Sequence, residues 1–379
     1  MVPHIEMSCP SCRRGLRIRA DYTGQRVRCR FCRSDFEVSA TDYTPSEPPP
    51  FQPHGSWPAF GDGLLKDGPA AAARPPGPNP GPEPDPPAAF AIPGYEILGI
   101  IRDGSMGRVY KAVQTRLDRE VAIKVLHEAL CNDPEYQRRF RREAEVAARL
   151  SHSNFVRVID AGESAGRPYI VMEFIEGETV QDRLDSGRPF GGRAAATIGV
   201  AVAEALAHAD RRGLIHRDVK PANVLLADTG TVKLLDLGLA RPVDDPAWAS
   251  AEAGNAIGTP EYISPEQVRG LVDLDIRGDI YGLGATLYHM VTGRAPYSGT
   301  TAEILTRHVN SRSRPVPPDR LKPDLVAGLS AVILKMMAKD REGRYPGPAD
   351  LIADLNRVLR GERPVAAGPD PPHVPTEGR

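Results

Sequence analysis

The chain has 379 residues, with 48 basic and 49 acidic side chains, a formal net charge of -1 and 38 prolines. That balance provides no global attraction to nucleic acid or to an anionic membrane, which excludes a binding role built on bulk charge. The length suffices for about two to three domains, one of them large enough to bury an extended core.

Residues 1–39 are short, arginine-rich and cysteine-paired. Cys9 and Cys12 form one C-x2-C pair, Cys29 and Cys32 a second, with sixteen residues between them. Two such pairs match a four-thiolate tetrahedral zinc site, each pair bracketing the metal from one side. A thioredoxin-like redox pair needs one C-x-x-C and a surrounding βαβ domain, and neither fits. So short a segment requires a staple to fold, a role the metal fills. The arginines from Arg13 to Arg33 suit nucleic acid or simply offset the charge of the thiolates. Only Tyr22, Phe31 and Phe36 are present to stack on bases, which favours a partner-docking or autoregulatory module over a nucleic-acid reader.

Over residues 40–92 the composition turns to proline, alanine and glycine, with runs such as Pro48–Pro50 and Ala70–Ala73. So little apolar surface cannot offset the entropy of ordering, and a disordered, partly polyproline spacer is expected. From Tyr95 to about residue 361 the pattern is globular. Val109–Val113, Val121–Leu126 and Tyr169–Phe174 read as strands, being rich in β-branched and aromatic residues. Asp133–Leu150, Arg193–Arg212 and Asp279–Val291 read as helices. Strands come first and helices later, which predicts an α+β fold with a sheet-rich lobe followed by a helical one. Residues 362–379 return to proline and glycine and are expected to be disordered. Met1 to Met7 carries no basic, then apolar, secretory pattern, and Glu204 and His208 interrupt the longest apolar run. A cytoplasmic protein is expected, a reducing setting that suits the unpaired Cys131.

Several motifs in the globular region bear on phosphoryl transfer, a reaction that depends on positioning and charge neutralisation more than on covalent chemistry. Ile101-Arg102-Asp103-Gly104-Ser105-Met106-Gly107-Arg108-Val109 reads as a glycine-rich loop whose backbone amides could approach phosphates. Arg102 stands where that pattern has its first glycine. Lys124 closes V-A-I-K. The octet His216-Arg217-Asp218-Val219-Lys220-Pro221-Ala222-Asn223 is the sharpest signal in the chain. Asp236-Leu237-Gly238 follows an apolar strand, and Ser264-Pro265-Glu266 lies beyond it.

In order and register these motifs resemble the bacterial Hanks-type (eukaryotic-like) serine/threonine protein kinases. The resemblance implies a bilobal protein-kinase fold, with a β-rich N-lobe and a helical C-lobe over residues 95–361, preceded by the small four-cysteine zinc ribbon and the disordered linker. It implies ATP and Mg2+ beside the structural Zn2+, and protein serine or threonine hydroxyls as acceptors. Lys124 would contact the α- and β-phosphates and pair with Glu143. Asp218 would be the catalytic base, Lys220 would neutralise the moving phosphoryl group, and Asn223 and Asp236 would hold magnesium. Thr259 would bridge towards Asp218 and Lys220. Met172 resembles the gatekeeper, with Glu173–Ile175 as the adenine-binding hinge. Glu266 is expected to pair with Arg344, and Asp279 to brace the catalytic loop. The activation segment departs from the family pattern: between Asp236 and Thr259 only Ser250 carries a hydroxyl, beside Asp244, Asp245 and Glu252. Activation is therefore expected to use Ser250, acidic mimicry or an allosteric partner, the last of these at the zinc ribbon. Two other functions are compatible with parts of the chain. Arg102 and the bare segment favour a pseudokinase that binds nucleotide without turnover, against which stand Lys124, Asp218, Asn223 and Asp236. A zinc-dependent nucleic-acid or partner-binding adaptor would use the amino-terminal module alone.

Overall fold

The computed structural model describes residues 91–104, 106–236 and 258–368, together with the backbone of five short strands elsewhere. The four metal-ligand cysteine candidates, nearly all of the linker, Ser105, Leu237, Gly238 and most of the activation segment, Ser250 included, lie outside the described residues. In the amino-terminal unit, β1 (His4–Ser8) pairs antiparallel with β2 (Gly15–Arg19), and β3 (Arg26–Arg28) with β4 (Asp35–Glu37). Cys9 and Cys12 fall between β1 and β2 in the chain, Cys29 and Cys32 between β3 and β4.

The larger unit opens with an antiparallel five-stranded sheet, made of β5 (Tyr95–Asp103), β6 (Gly107–Gln114), β7 (Arg119–Leu126), β8 (Val158–Ser164) and β9 (Arg167–Glu173). Its strand order is β5-β6-β7-β9-β8. β7 lies in the middle, and Val121, Ile123 and Val125 are fully buried in a cluster with Tyr110 and Val171. Helix α1 (Pro134–Ala148) starts at Asp133, whose carboxylate accepts the Glu135 amide at 2.8 Å. Phe140, Glu143, Ala144 and Ala147 recur at helical spacing and form its buried face. Glu143 thus rides into the sheet on an apolar stripe.

Two boundaries differ from the sequence reading. Ile92, assigned to the linker, is buried in the sheet cluster and accepts the Tyr95 amide at 3.0 Å through a Pro-Gly turn. At the other end, residues 362–368, assigned to a disordered tail, are held by Asp354, which accepts the amides of Val365 and Ala366 at 2.8 and 3.0 Å. Composition alone hides both, because a few backbone hydrogen bonds and one buried side chain suffice to order a proline-rich edge.

The helical lobe is built on the helices Gly192–Asp210, Ile276–Thr292 and Pro348–Arg360. Alanines and glycines bring these helices close: a Cβ on Gly199 would lie 3.1 Å from Leu287 and 3.2 Å from Leu355. The helix Ile276–Thr292 begins a turn earlier than the apolar periodicity suggested, because Asp275 caps it. It carries Tyr281, whose hydroxyl is hydrogen-bonded with His308 Nδ1 at 2.7 Å, while Lys339 Nζ donates to the Tyr297 hydroxyl at 2.7 Å. Burial, and then the Lys339 charge, push His308 down to about 3 from its ordinary 6.5. The ring is neutral in the fold and takes a proton in the unfolded chain. Its contribution is therefore complete above pH 6.5 and is lost as pH falls towards 3. Lowering the pH from 7 to 5 is expected to cost roughly 2 kcal/mol through this ring. Urea titrations at the two pH values should show His308→Gln losing less stability than wild type, and equal losses would refute the assignment.

Candidate active site

The upper wall of the site follows from the sheet register. Lys124 pairs with Val109 on one side and Ile170 on the other, so its backbone is fixed at the centre of the sheet. Its Nζ donates to Glu143 at 2.7 and 3.0 Å and to Asp236 Oδ1 at 3.1 Å. Burial pulls Lys124 down, but the Asp236 and Glu143 charges outweigh it and hold the ammonium above its ordinary value. Burial raises Glu143, with Lys124 opposing it. The pair couples α1 to the sheet and holds one cation at the deep end of the cleft.

The lower wall is the segment His216–Asn223, which leaves the short strand Leu214–Ile215. The buried carboxylate of Asp279 accepts the amides of His216 and Arg217 at 2.7 and 2.6 Å. Arg217 is thereby held at φ 69°, an uncommon conformation for a non-glycine residue that over-determined hydrogen bonding sustains. Gln267 Nε2 donates to the Arg217 carbonyl at 2.8 Å. Gly282 faces this loop, and a Cβ there would sit 3.0 Å from the Val219 carbonyl oxygen, so the helix approaches closely only because the side chain is absent.

On this frame Asp218 is surrounded by donors. Lys220 Nζ lies 2.6 Å from Oδ2, the Thr259 hydroxyl donates to Oδ1 at 3.0 Å, and Asn223 Nδ2 donates to Oδ2 at 3.2 Å and to the Asp218 carbonyl at 2.8 Å. Lys220 also donates to the Thr259 hydroxyl at 2.7 Å. The predicted bridge from Thr259 to both residues is therefore present. So is the Glu266–Arg344 pair, at 2.6 and 2.8 Å with Arg344 fully buried.

Between the walls lies a cavity of about 1180 Å³ lined by Ile101, Arg102, Val109, Lys124, Glu143, Met172, Glu173, Ile175, Asn223 and Asp236, among others. Val109 and Ala122 from the sheet and Leu225 from the lower lobe line it with apolar surface, a setting that suits a flat ring. Asp236 sits at φ 55°. The predicted loop residues divide. Ile101–Asp103 belong to β5 and Gly107–Val109 to β6, and the Gly104 amide donates to the Gly107 carbonyl at 3.0 Å between them. Asp103 pairs with Arg108 at 3.0 Å and with His127 at 3.2 Å, away from the cavity lining. Gly107 is required sterically, since a Cβ would meet the Val125 carbonyl oxygen at 2.4 Å.

Sequence reading missed Thr179, Asp182 and Ala222 as parts of the cleft mouth. The first two form a capping box at the start of the helix Val180–Asp185. The T-x-x-D spacing was available as a signal for the cap; nothing in it indicated the cleft. Among the described residues no three His, Cys, Asp or Glu side chains cluster as a metal site, and no helix is long and apolar enough to cross a membrane.

Residues 95–350 match the family model described as the protein kinase domain. The chain is 42% identical over 277 residues to the serine/threonine-protein kinase PknB of Mycobacterium tuberculosis, covering 72% of this chain and 44% of that protein. It is 38% identical over 278 residues to the probable serine/threonine-protein kinase SCO3848 of Streptomyces coelicolor, covering 72% of this chain and 41% of that one. The chain thus spans less than half the length of these curated relatives. Among solved structures, the M. tuberculosis PknI kinase domain superposes with a TM-score of 0.56 at 30% identity, covering 71% of this chain and 96% of that domain.

Proposed function

The chain belongs to the protein kinase family, and from that premise we propose that it transfers the γ-phosphate of ATP to serine or threonine hydroxyls of proteins. The observation that carries the reading is the arrangement around Asp218. Its carboxylate is fixed by Lys220, Thr259 and Asn223 on a loop braced by Asp279, next to a cleft whose far end holds Lys124 and Asp236.

In this reading the acceptor hydroxyl approaches Asp218, which orients it and takes its proton as the oxygen attacks the γ-phosphorus and the bond to the leaving ADP oxygen breaks. Lys220 neutralises charge on the phosphoryl group in transit. Lys124 holds the α- and β-phosphates while Glu143 and α1 keep it aimed. The hinge Glu173–Ile175 takes the adenine. Asn223 and Asp236 would hold Mg2+, which when bound supplies charge neutralisation at the phosphate oxygens. Their oxygen donors suit that hard cation, and Asn223 turns its amide nitrogen to Asp218, which directs its carbonyl oxygen elsewhere.

A pseudokinase needs none of this apparatus beyond a nucleotide pocket, and the intact arrangement of Lys220, Thr259 and Asn223 around Asp218 weighs against it. The test is magnesium-dependent transfer of labelled phosphate from ATP to a generic basic protein. Incorporation that requires both ATP and magnesium is expected; nucleotide binding with no incorporation would replace the kinase reading by the scaffold.

For the remainder of the chain the proposed partition is a zinc ribbon over 1–39, a linker over 40–92, and a short tail. The two antiparallel hairpins support the ribbon, because each C-x2-C pair falls in the connection between paired strands. Zn2+ there would be structural, and the module would dock a regulatory partner in the cytoplasm. Elemental analysis of purified full-length protein should find about one zinc per chain, lost in a Cys9→Ser/Cys29→Ser variant. Absence of zinc from wild type would remove the ribbon and leave the kinase proposal intact.

A further inference from the structure

Lys339 stands apart from the cleft, between the helix Leu329–Met336 and the short turn Arg341–Gly343, and is partly exposed. Its Nζ donates to the Tyr297 hydroxyl at 2.7 Å and to the Arg307 carbonyl at 2.8 Å. The Tyr297 hydroxyl directs its own hydrogen to the Ser313 carbonyl at 3.1 Å, so its oxygen is the acceptor. A third contact, to the Tyr281 hydroxyl, is stretched to 3.5 Å. Two close acceptors match the two N–H bonds of an uncharged amine, whereas an ammonium has three to place. The lone pair of the amine is left uncommitted.

The charge around this amine is of one sign. Among the described residues no carboxylate pairs with Lys339. Glu266 is engaged by Arg344 at 2.6 and 2.8 Å, and Asp340, next in the chain, accepts the Glu342 amide at 3.2 Å. Arg344 and Arg269 act on Nζ, while Arg307 and Arg314 act on Tyr297. His308, uncharged in the fold, lies edge-on to both tyrosine rings. The Tyr297 face, 4.4 Å from Nζ, favours a cation. Against that pull, burial and then the Arg344 and Arg269 charges push Lys339 down to about 7 from its ordinary 10.5.

An amine without a counter-ion, beside other cations, is the setting that makes a lysine nucleophilic at neutral pH. The same cations attract an anionic reagent. We propose that Lys339 is an acylation site, which takes the acyl group of a small acyl phosphate. In that step the Nζ lone pair attacks the carbonyl carbon, and the bond from that carbon to the phosphate oxygen breaks. Inorganic phosphate leaves with the electron pair, and the nitrogen loses one proton to it or to water. The product amide has one N–H and no charge. It can serve only one of the two acceptors, the Tyr297 hydroxyl or the Arg307 carbonyl, so one link to the end of the helix Thr301–Val309 or to Tyr297 is given up.

The experiment incubates the full chain with acetyl phosphate and follows acetylation of each lysine by peptide mass spectrometry. Lysine amide, acetylated at its α-nitrogen and present in the same reaction, is the reference for an ordinary amine. At pH 7 Lys339 should react at least about tenfold faster than the reference. Its uncharged fraction is about a thousandfold larger there, and its lower basicity and partial burial offset only part of that gain. Between pH 7 and pH 9 the reference should speed up by about a hundredfold and Lys339 by about twofold. In guanidinium chloride, with the chain unfolded, Lys339 should fall to the reference rate and take on its pH dependence. A Lys339 rate no higher than the reference at the lower pH overturns the proposal, as does one that climbs in parallel with it. An advantage that survives unfolding overturns it too, because it would then belong to the local sequence and not to the tyrosine and arginine surroundings.

Discussion

Asp218→Asn is expected to lower phosphate transfer by roughly two to four orders of magnitude, the range for removing a positioned general base. Nucleotide binding and thermal stability should hardly change. Asparagine has the size of aspartate, and the Asp218 carbonyl still receives Asn223 Nδ2 at 2.8 Å, so the loop keeps its shape. The carboxylate is what disappears. Lys220 Nζ sits 2.6 Å from one oxygen and the Thr259 hydroxyl 3.0 Å from the other, so an amide must present its NH2 group to one of these two donors. Neither orientation restores a proton acceptor. Phosphate incorporation, nucleotide titration and a thermal melt on the same preparation make the comparison. Transfer within tenfold of wild type, by a variant that binds nucleotide normally, would show that Asp218 is not the base.

The largest stability effect is expected at Arg344. Its guanidinium is fully buried and donates to both Glu266 oxygens, and also to the carbonyls of Ala338 and Arg277 at 2.8 Å each. Arg344→Leu leaves a buried carboxylate and two carbonyls without that donor, a loss of about 3–5 kcal/mol. For a domain of this size that is a fall of roughly ten degrees in melting temperature. Glu266→Met/Arg344→Leu should recover much of it, because no buried charge is left unpaired. Activity should fall as well, since Gln267 on the same short helix holds the Arg217 carbonyl of the catalytic loop. Thermal melts of the single and double variants test the pair, and a single-variant loss below about 1 kcal/mol would demote it to a surface-like bridge.

Some features were legible because their signals are local. α1 announced itself through Asp133, Pro134 and an apolar stripe, and its observed limits fall within two residues of the expected ones. The octet His216–Asn223 put a carboxylate, a cation and a side-chain amide within one loop, a spacing that chemistry restricts more than packing does. The edges of the folded unit were misjudged for the converse reason. Ile92 and residues 362–368 look like spacer by composition, and what orders them is a buried contact and Asp354, neither of which composition encodes. Thr179 and Asp182 were readable as a helix cap but not as the wall of a cleft.

The sequence by itself determined the chemistry that the chain can attempt, since the residue types and short spacings of V-A-I-K, the octet and the aspartate beyond it leave few other uses. It also determined the order of sheet and helices, through the change of hydrophobic period along the chain. Only the tertiary structure decided that Asp236 joins Glu143 at Lys124, that Gln267 joins Asp279 in holding Arg217 in its uncommon conformation, and where Arg102 points. Each of those depends on groups far apart in sequence, from 50 residues for Arg217 and Gln267 to 120 for Arg102 and Ala222. Such distances carry no local signature. The partner is set by how α1 docks on the sheet and how the two lobes meet.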